Sequence, residues 1–296
     1  MSHYAARSFL EQHKHHPDLE KLKSKLMVRH PNLVIEDNVD IYVPDQDSGP
    51  LKLTFVGAHF ARKGGCVAVR LAEIAKQRGL PIEVTIISSL QIGGMIWTDP
   101  ENEEFFQKYL KLLDLPNVRS LGGLPNSQVR AILRRSHFCL LPTFADTFGF
   151  SAIESMAEYT PVLGTRICAL PEFITDGVNG LLLDLPTNRI GEWAGMDYGK
   201  RHTVEYETRF AEAVEQLAQD AITRLEPYLN NRSKLMPLRQ MAQRSVLEMF
   251  DSRSRSAEWD QLYERVIAEE KSIPPVLDPV ADKSSRNGWL PTGSTK

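Results

Sequence analysis

Three cysteines in 296 residues, Cys66, Cys139 and Cys168, are an odd number at wide spacing. That argues against a disulfide framework and against a zinc cluster, and it suits a reducing compartment. No run reaches the roughly 18 apolar residues that a membrane span needs. The polar start MSHYAARSFLEQHKHHPD is no secretory signal, so the expectation is a soluble cytoplasmic protein without a transmembrane segment. Excess charge is also scarce: 35 Lys and Arg face 38 Asp and Glu, a net charge of -3. A pI near 6.3 gives no long-range pull toward nucleic acid. No Gly-x-Gly-x-x-Gly opens the first glycine-rich loop, and no acid stands at the required distance beyond it, which disfavours a nicotinamide-dependent oxidoreductase. The histidines His13, His15 and His16 have no matched second ligand set after them and read as a solvated cluster.

What is present is an ordinary core, 42% hydrophobic, arranged as alternating strands and helices. Leu51 to Val56 is a strand, Gly57 to Gly65 a loop and Cys66 to Gln77 an amphipathic helix, the opening unit of a doubly wound sheet. Ile82 to Ile87 is the next strand, then a loop with Gly93, Gly94 and Trp97, and a helix from about Glu101 to Leu113. Asn117 to Leu121 is a further strand, and Ser127 to Arg134 a helix with Asn126 or Ser127 as N-cap. Phe138 to Leu141 suits a buried parallel strand, and Val162 to Thr165 another. After Leu183 the pattern turns to helices alone, over Glu205 to Leu229, Ser233 to Phe250 and Ser254 to Glu270. The chain therefore divides into an N-terminal helical segment and linker, residues 1–50; an α/β body with C-terminal helices, residues 51–270; and a Pro-, Ser- and Gly-rich tail, residues 271–296, expected to be disordered.

The stretch richest in chemistry runs from Phe138 to Leu183. A strand there gives way at Pro142 to a polar loop ending in Asp146-Thr147-Phe148-Gly149, and a helix is expected to start near Gly149. Its free amides and positive dipole end would face the carboxyl edge of the sheet and favour an anion. Asp146 and Glu154 frame that place. Each carboxylate accepts two hydrogen bonds at once and suits paired hydroxyls on a ribose or hexose. Taken singly, Asp146 reads equally well as a helix cap and Glu154 as a solvated surface acid. In the first loop, Gly57, Gly64 and Gly65 allow close backbone approach, and Arg62 and Lys63 add two charges suited to a diphosphate. The same residues also describe a plain surface loop with two solvated cations.

Taken together, Asp146 and Glu154 with seven residues between them, Phe148-Gly149, Pro161-Val162, Pro171-Glu172 and Asp176-Gly177-Val178-Asn179-Gly180 resemble the nucleotide-sugar site of the retaining glycosyltransferases of family 4, group 1, which have the GT-B fold. Two departures stand out: the first acid, usually Glu, is Asp146, and the usual Gly-Gly before Pro-Glu is Cys168-Ala169-Leu170. The resemblance implies the C-terminal donor-binding half of a GT-B fold, a single Rossmann-like doubly wound parallel sheet. It implies retaining hexosyl transfer from a nucleotide-diphospho-sugar, with no cofactor and no metal. By resemblance, the catalytic set is Asp146, Lys63 and Arg62. Donor contacts fall on Gly57, Gly64, Thr147, Phe148, Gly149, Phe150 and Glu154, with Ser88, Leu121 and Gly122 lining the base. Lys63-Gly64 fits the family's first loop, but Ala58 stands where an Arg is usual, and Arg62 or His59 is left to supply that charge. Too few residues precede Leu51 for the acceptor domain. The chain is then either a fragment or a one-domain subunit, and the alternative to an enzyme is a non-catalytic nucleotide-sugar-binding or scaffold subunit that needs a partner chain. The acceptor is open: a glycan, a lipid or a small molecule.

Overall fold

The computed structural model describes residues 2–36 and 49–272, the last four by their backbone alone. Residues 37–48 of the expected linker, and all but the first two residues of the tail expected to be disordered, lie outside the described residues. Two compact units are present, Met1–Arg255 and the remainder from Ser256.

In the first unit, strands β1 (Leu51–Val56), β2 (Ile82–Ile87), β3 (Val118–Leu121), β4 (Phe138–Leu141), β5 (Val162–Thr165) and β6 (Gly180–Leu183) form one sheet in the order β3-β2-β1-β4-β5-β6. All pairs are parallel, with Leu51 opposite Ile82 and Leu53 opposite Phe138. Such a sheet is covered on both faces, which is why β4, β5 and β6 are buried at every position. β6 was not among the strands expected from the sequence.

Helices α1 (His3–Gln12) and α2 (Leu19–Lys25) precede the sheet. The expected N-terminal helical segment is two helices, parted by a turn around His13 to Pro17. Between the strands lie α3 (Gly65–Gln77), α4 (Gln107–Leu110), α5 (Asn126–Arg134) and α6 (Phe150–Ala157). The helix expected over Glu101 to Leu113 is instead a broken one, with 3-10 turns Glu103–Phe106 and Lys111–Asp114 on either side of α4. Right-handed crossovers put α3 and α4 on one face and α5 and α6 on the other, because the chain moves outward from β1 in opposite directions in the two halves.

Helix α7 (Val204–Asn230), capped by Thr203, packs on α3, and α8 (Leu235–Phe250) packs on α6. Arg70 of α3 forks onto Glu215 of α7 at 2.6 and 3.1 Å. The buried Arg239 of α8 donates to the carbonyls of Ser136 and Arg134 at 2.6 and 3.1 Å, closing the C-terminal end of α5, where a cation is favoured. At its other end α5 starts one residue earlier than expected: Pro125 holds the cap position and no side chain caps it. The described part of the second unit is the rest of α9 (Ser252–Ser272), where Trp259 and Tyr263 stack.

Candidate functional site

The strand order reverses between β1 and β4, so the loops after those two strands border the switch-point crevice, the usual ligand position of an open α/β sheet. The β1 loop carries His59, Arg62 and Lys63, and the β4 loop carries Asp146 and Thr147. Gly64 pins the two together. Its φ is +92°, and a Cβ there would stand 2.2 Å from the Pro142 carbonyl oxygen, so only glycine fits. Gly57 makes room in the same way for the stem of Lys63, whose Cβ would lie 3.0 Å from an added Cβ.

Lys63 Nζ forms an ion pair with Asp146 Oδ2 across the crevice, with both side chains largely withdrawn from solvent. Asp146 Oδ1 accepts from the amides of Phe148 and Gly149 at 3.3 and 3.1 Å. These amides lie just before α6, whose N-cap Gly149 has no side-chain cap, so Asp146 braces the loop rather than capping the helix, and the amides expected to be open at Phe148 and Gly149 are occupied by it. Those of Phe150 and Ser151, in the first turn of α6, have no preceding helical carbonyl to accept them. Gly149, at φ +90°, turns the chain into that helix.

Arg62 donates to the carbonyl of Ala145 at 3.1 Å and, through Nε, to His59 Nδ1 at 3.0 Å. His59 has its pKa lowered by burial first, then by Arg62 and Lys63, so its ring stays neutral and accepts from Arg62. Both candidates for the missing charge therefore lie in one cluster, with the guanidinium as the cation.

Glu154, half-buried on α6, accepts from Asn126 Nδ2 at the head of α5 at 3.0 Å. Asn126, expected as an N-cap, serves instead to hold this carboxylate. Phe150 is 56% exposed and available to a ligand, whereas the ring of Phe148 is buried and stacks on Phe173 at 5.5 Å. Phe148 is a core residue. Ser88 is also taken up by the fold: it is buried, its Oγ accepts from the Leu90 amide at 2.9 Å, and its own amide donates to the Leu121 carbonyl at 3.2 Å. Gly122 has open space around it.

The later elements of the sequence pattern build the scaffold. Asn179 accepts from the Thr175 amide at 2.7 Å and donates to the Phe173 carbonyl at 2.9 Å. Asp176 accepts from the Leu182 amide at 3.0 Å and pairs with Arg166 and Arg224. Together they clip the turn that starts β6. Glu172 holds α1, accepting from the amides of His3 and Tyr4 at 2.9 and 2.6 Å. Nothing in the local sequence signals that contact, which spans 169 positions. The Ser2 hydroxyl adds a 3.4 Å bond to the Thr147 carbonyl, bringing α1 to the rim of the crevice.

The family model for glycosyl transferases group 1 matches residues 40–190, just over half of the chain and the whole of this crevice. The chain belongs to the group 1 glycosyl transferases. A D-inositol 3-phosphate glycosyltransferase of Pseudarthrobacter chlorophenolicus is 29% identical over 150 residues, which is 50% of this chain and 34% of that protein. This glycosyl transferase chain spans about a third of the length of the curated relatives it matches. A crystal structure of a glycosyltransferase from Rickettsia africae superposes with a TM-score of 0.58 at 14% identity, covering 88% of this chain and 62% of that one. The Anabaena protein HepE, crystallised in complex with UDP, superposes at 0.52 with 16% identity, over 74% of this chain and 50% of its own. At these identities the structures share the fold, a Rossmann-like half of the GT-B architecture. Among the described residues no helix is long and apolar enough to cross a membrane.

Proposed function

We propose that residues 51–270 of this chain form the donor-binding domain of a retaining glycosyltransferase that takes a hexosyl unit from a nucleoside-diphospho-sugar. Residues 1–50 would lead into it, and the acceptor domain would come from elsewhere, such as a partner chain. The observation that carries this reading is the meeting of Lys63 and Asp146 over the strand-order switch, at the head of α6.

A diphosphate entering the crevice offers Lys63 a stronger partner than a single carboxylate, and Arg62 and the first amides of α6 add to it. Lys63 then leaves Asp146 Oδ2 free to accept from a sugar hydroxyl, while Oδ1 stays on the amides of Phe148 and Gly149 and keeps the carboxylate aimed. Glu154, already oriented by Asn126, takes the ribose hydroxyls, and Gly122 leaves room for the base. In the transfer itself the bond from the anomeric carbon to the diphosphate oxygen breaks and a bond to the acceptor oxygen forms on the same face. The acceptor's proton passes to the departing phosphate oxygen. Preorganised cations and amides stabilise the developing charge on that oxygen. The free, buried cysteines suit a reducing cytoplasm as the setting.

Because HepE is a fold relative crystallised with UDP, UDP and UDP-hexoses are the first ligands to try. Calorimetry on the full chain should show binding of both, with UDP released from the sugar nucleotide when an acceptor domain is supplied. Absence of binding across uridine, guanosine and adenosine diphosphates overturns the reading. Binding with no turnover under any pairing favours a non-catalytic donor-binding subunit.

A further inference from the structure

Beside the crevice lies a cleft of about 400 Å³ between α1 and the loops after β2 and β6. Ser8 and Gln12 of α1 form one wall, Trp97 and Tyr198 the other, and Thr147 and Glu192 also line it. Trp97 and Tyr198 stack with ring centroids 5.7 Å apart and planes 24° apart. They remain 43% and 60% exposed, an unusual amount of aromatic surface for two loops to present. The scaffold beneath holds them there. Arg201, almost buried, donates to the carbonyls of Ile96 and Gly94 and pairs with Glu101 at 3.0 Å, and the buried Asp99 accepts from the Gly93 amide at 3.2 Å. Glu192 is fixed as well, accepting from the Tyr4 hydroxyl at 2.9 Å and from Asn188 at 3.2 Å.

The lining sets the chemistry. Exposed aromatic faces beside a fixed carboxylate, a hydroxyl and a carboxamide suit a ligand with apolar C–H faces and hydroxyl edges. Among the described residues no Lys, Arg or His lines the cleft, so a phosphorylated or carboxylated ligand would face Glu192 without compensation. A wholly apolar ligand would strip water from Ser8, Gln12 and Glu192 and return no hydrogen bond.

We infer that this cleft binds a neutral pyranose ring of the acceptor glycan, stacked on Trp97 and Tyr198 and hydrogen-bonded to Glu192. Thr147 lines the cleft and directly follows Asp146, so a sugar held there lies next to the donor. The acceptor role rests on the donor-binding reading above; the binding of a neutral sugar is tested separately from it.

Saturation-transfer NMR on the full chain, against a panel of methyl hexopyranosides and neutral di- to tetrasaccharides at millimolar concentration, should find a binder. Trp97→Ala and Tyr198→Ala should each weaken it by about tenfold or more, Trp97→Phe should largely restore it, and hexose 6-phosphates should bind less well. UDP affinity, measured by calorimetry on the same variants, should not change. A panel without a binder overturns the inference, as does a binder indifferent to Trp97→Ala. So does a saccharide displaced by a UDP-sugar but not by UDP, which would make the cleft the donor's own sugar pocket. Saccharide binding in a chain that binds no nucleoside diphosphate sinks the donor reading and leaves the cleft standing as a sugar site.

Discussion

Lys63 and Asp146 stand 83 positions apart in the chain and form an ion pair where the strand order turns. Lys63→Ala removes a phosphate contact from donor and free nucleoside diphosphate alike. A charge-assisted hydrogen bond is worth roughly 1.5 to 3 kcal/mol, so both affinities should fall by about one to two orders of magnitude. Unchanged nucleoside diphosphate affinity in calorimetry would place Lys63 outside the site.

The two carboxylates should separate by ligand. Glu154→Gln weakens nucleoside diphosphate and sugar nucleotide together, by roughly 1 to 3 kcal/mol, because both ligands carry the ribose. Asp146→Asn spares the nucleoside diphosphate and weakens the sugar nucleotide. It also removes the charge paired with Lys63, while its Oδ1 can still accept from the amides of Phe148 and Gly149, so the melting temperature should drop only slightly. Equal losses of nucleoside diphosphate affinity in the two variants would refute this division of labour.

The hold of Glu172 on α1 is open to a direct check. Glu172→Ala leaves the amides of His3 and Tyr4 without their carboxylate and should loosen α1 while the sheet stays intact. Hydrogen exchange should then quicken over residues 3–12 and stay unchanged in β1 and β4. Protection retained in α1 would mean that Tyr4 and Ser2 suffice to hold it.

Asp99 gives the stability a pH dependence. Burial raises its pKa to about 7 from 3.8, against the lowering effect of its bonds to Thr98 and Gly93. A carboxyl with a raised folded pKa binds more protons folded than unfolded between those two values. Its contribution is therefore complete below pH 3.8 and is lost as pH rises toward 7. The loss is of the order of a few kcal/mol. Asp99→Asn cannot ionise, so chemical denaturation between pH 4.5 and 7.5 should show a flatter profile than wild type. Parallel profiles would mean that Asp99 does not titrate in this window.

The sequence by itself determined the α/β alternation, the glycine loop with Lys63 and the helix that opens at Gly149. Each rests on neighbours: β1 on a run of buried residues, the tight loop on Gly64, the start of α6 on a polar loop followed by helically spaced apolar side chains. The Asp146 to Gly180 pattern was legible for the same reason, as a string of local turns and caps. Tertiary structure decided what the polar atoms do with one another. Asp146 braces the loop before α6 and pairs with Lys63, Ser88 turns inward to Leu90, Asn126 leaves its cap for Glu154, and Phe148 joins the core. The docking of α1 on Glu172 and the pairing of Trp97 with Tyr198 were out of reach of the sequence. Such contacts join segments about 100 or more positions apart, and hydrophobic period and turn chemistry carry no information about which distant side chain a polar or aromatic group will meet.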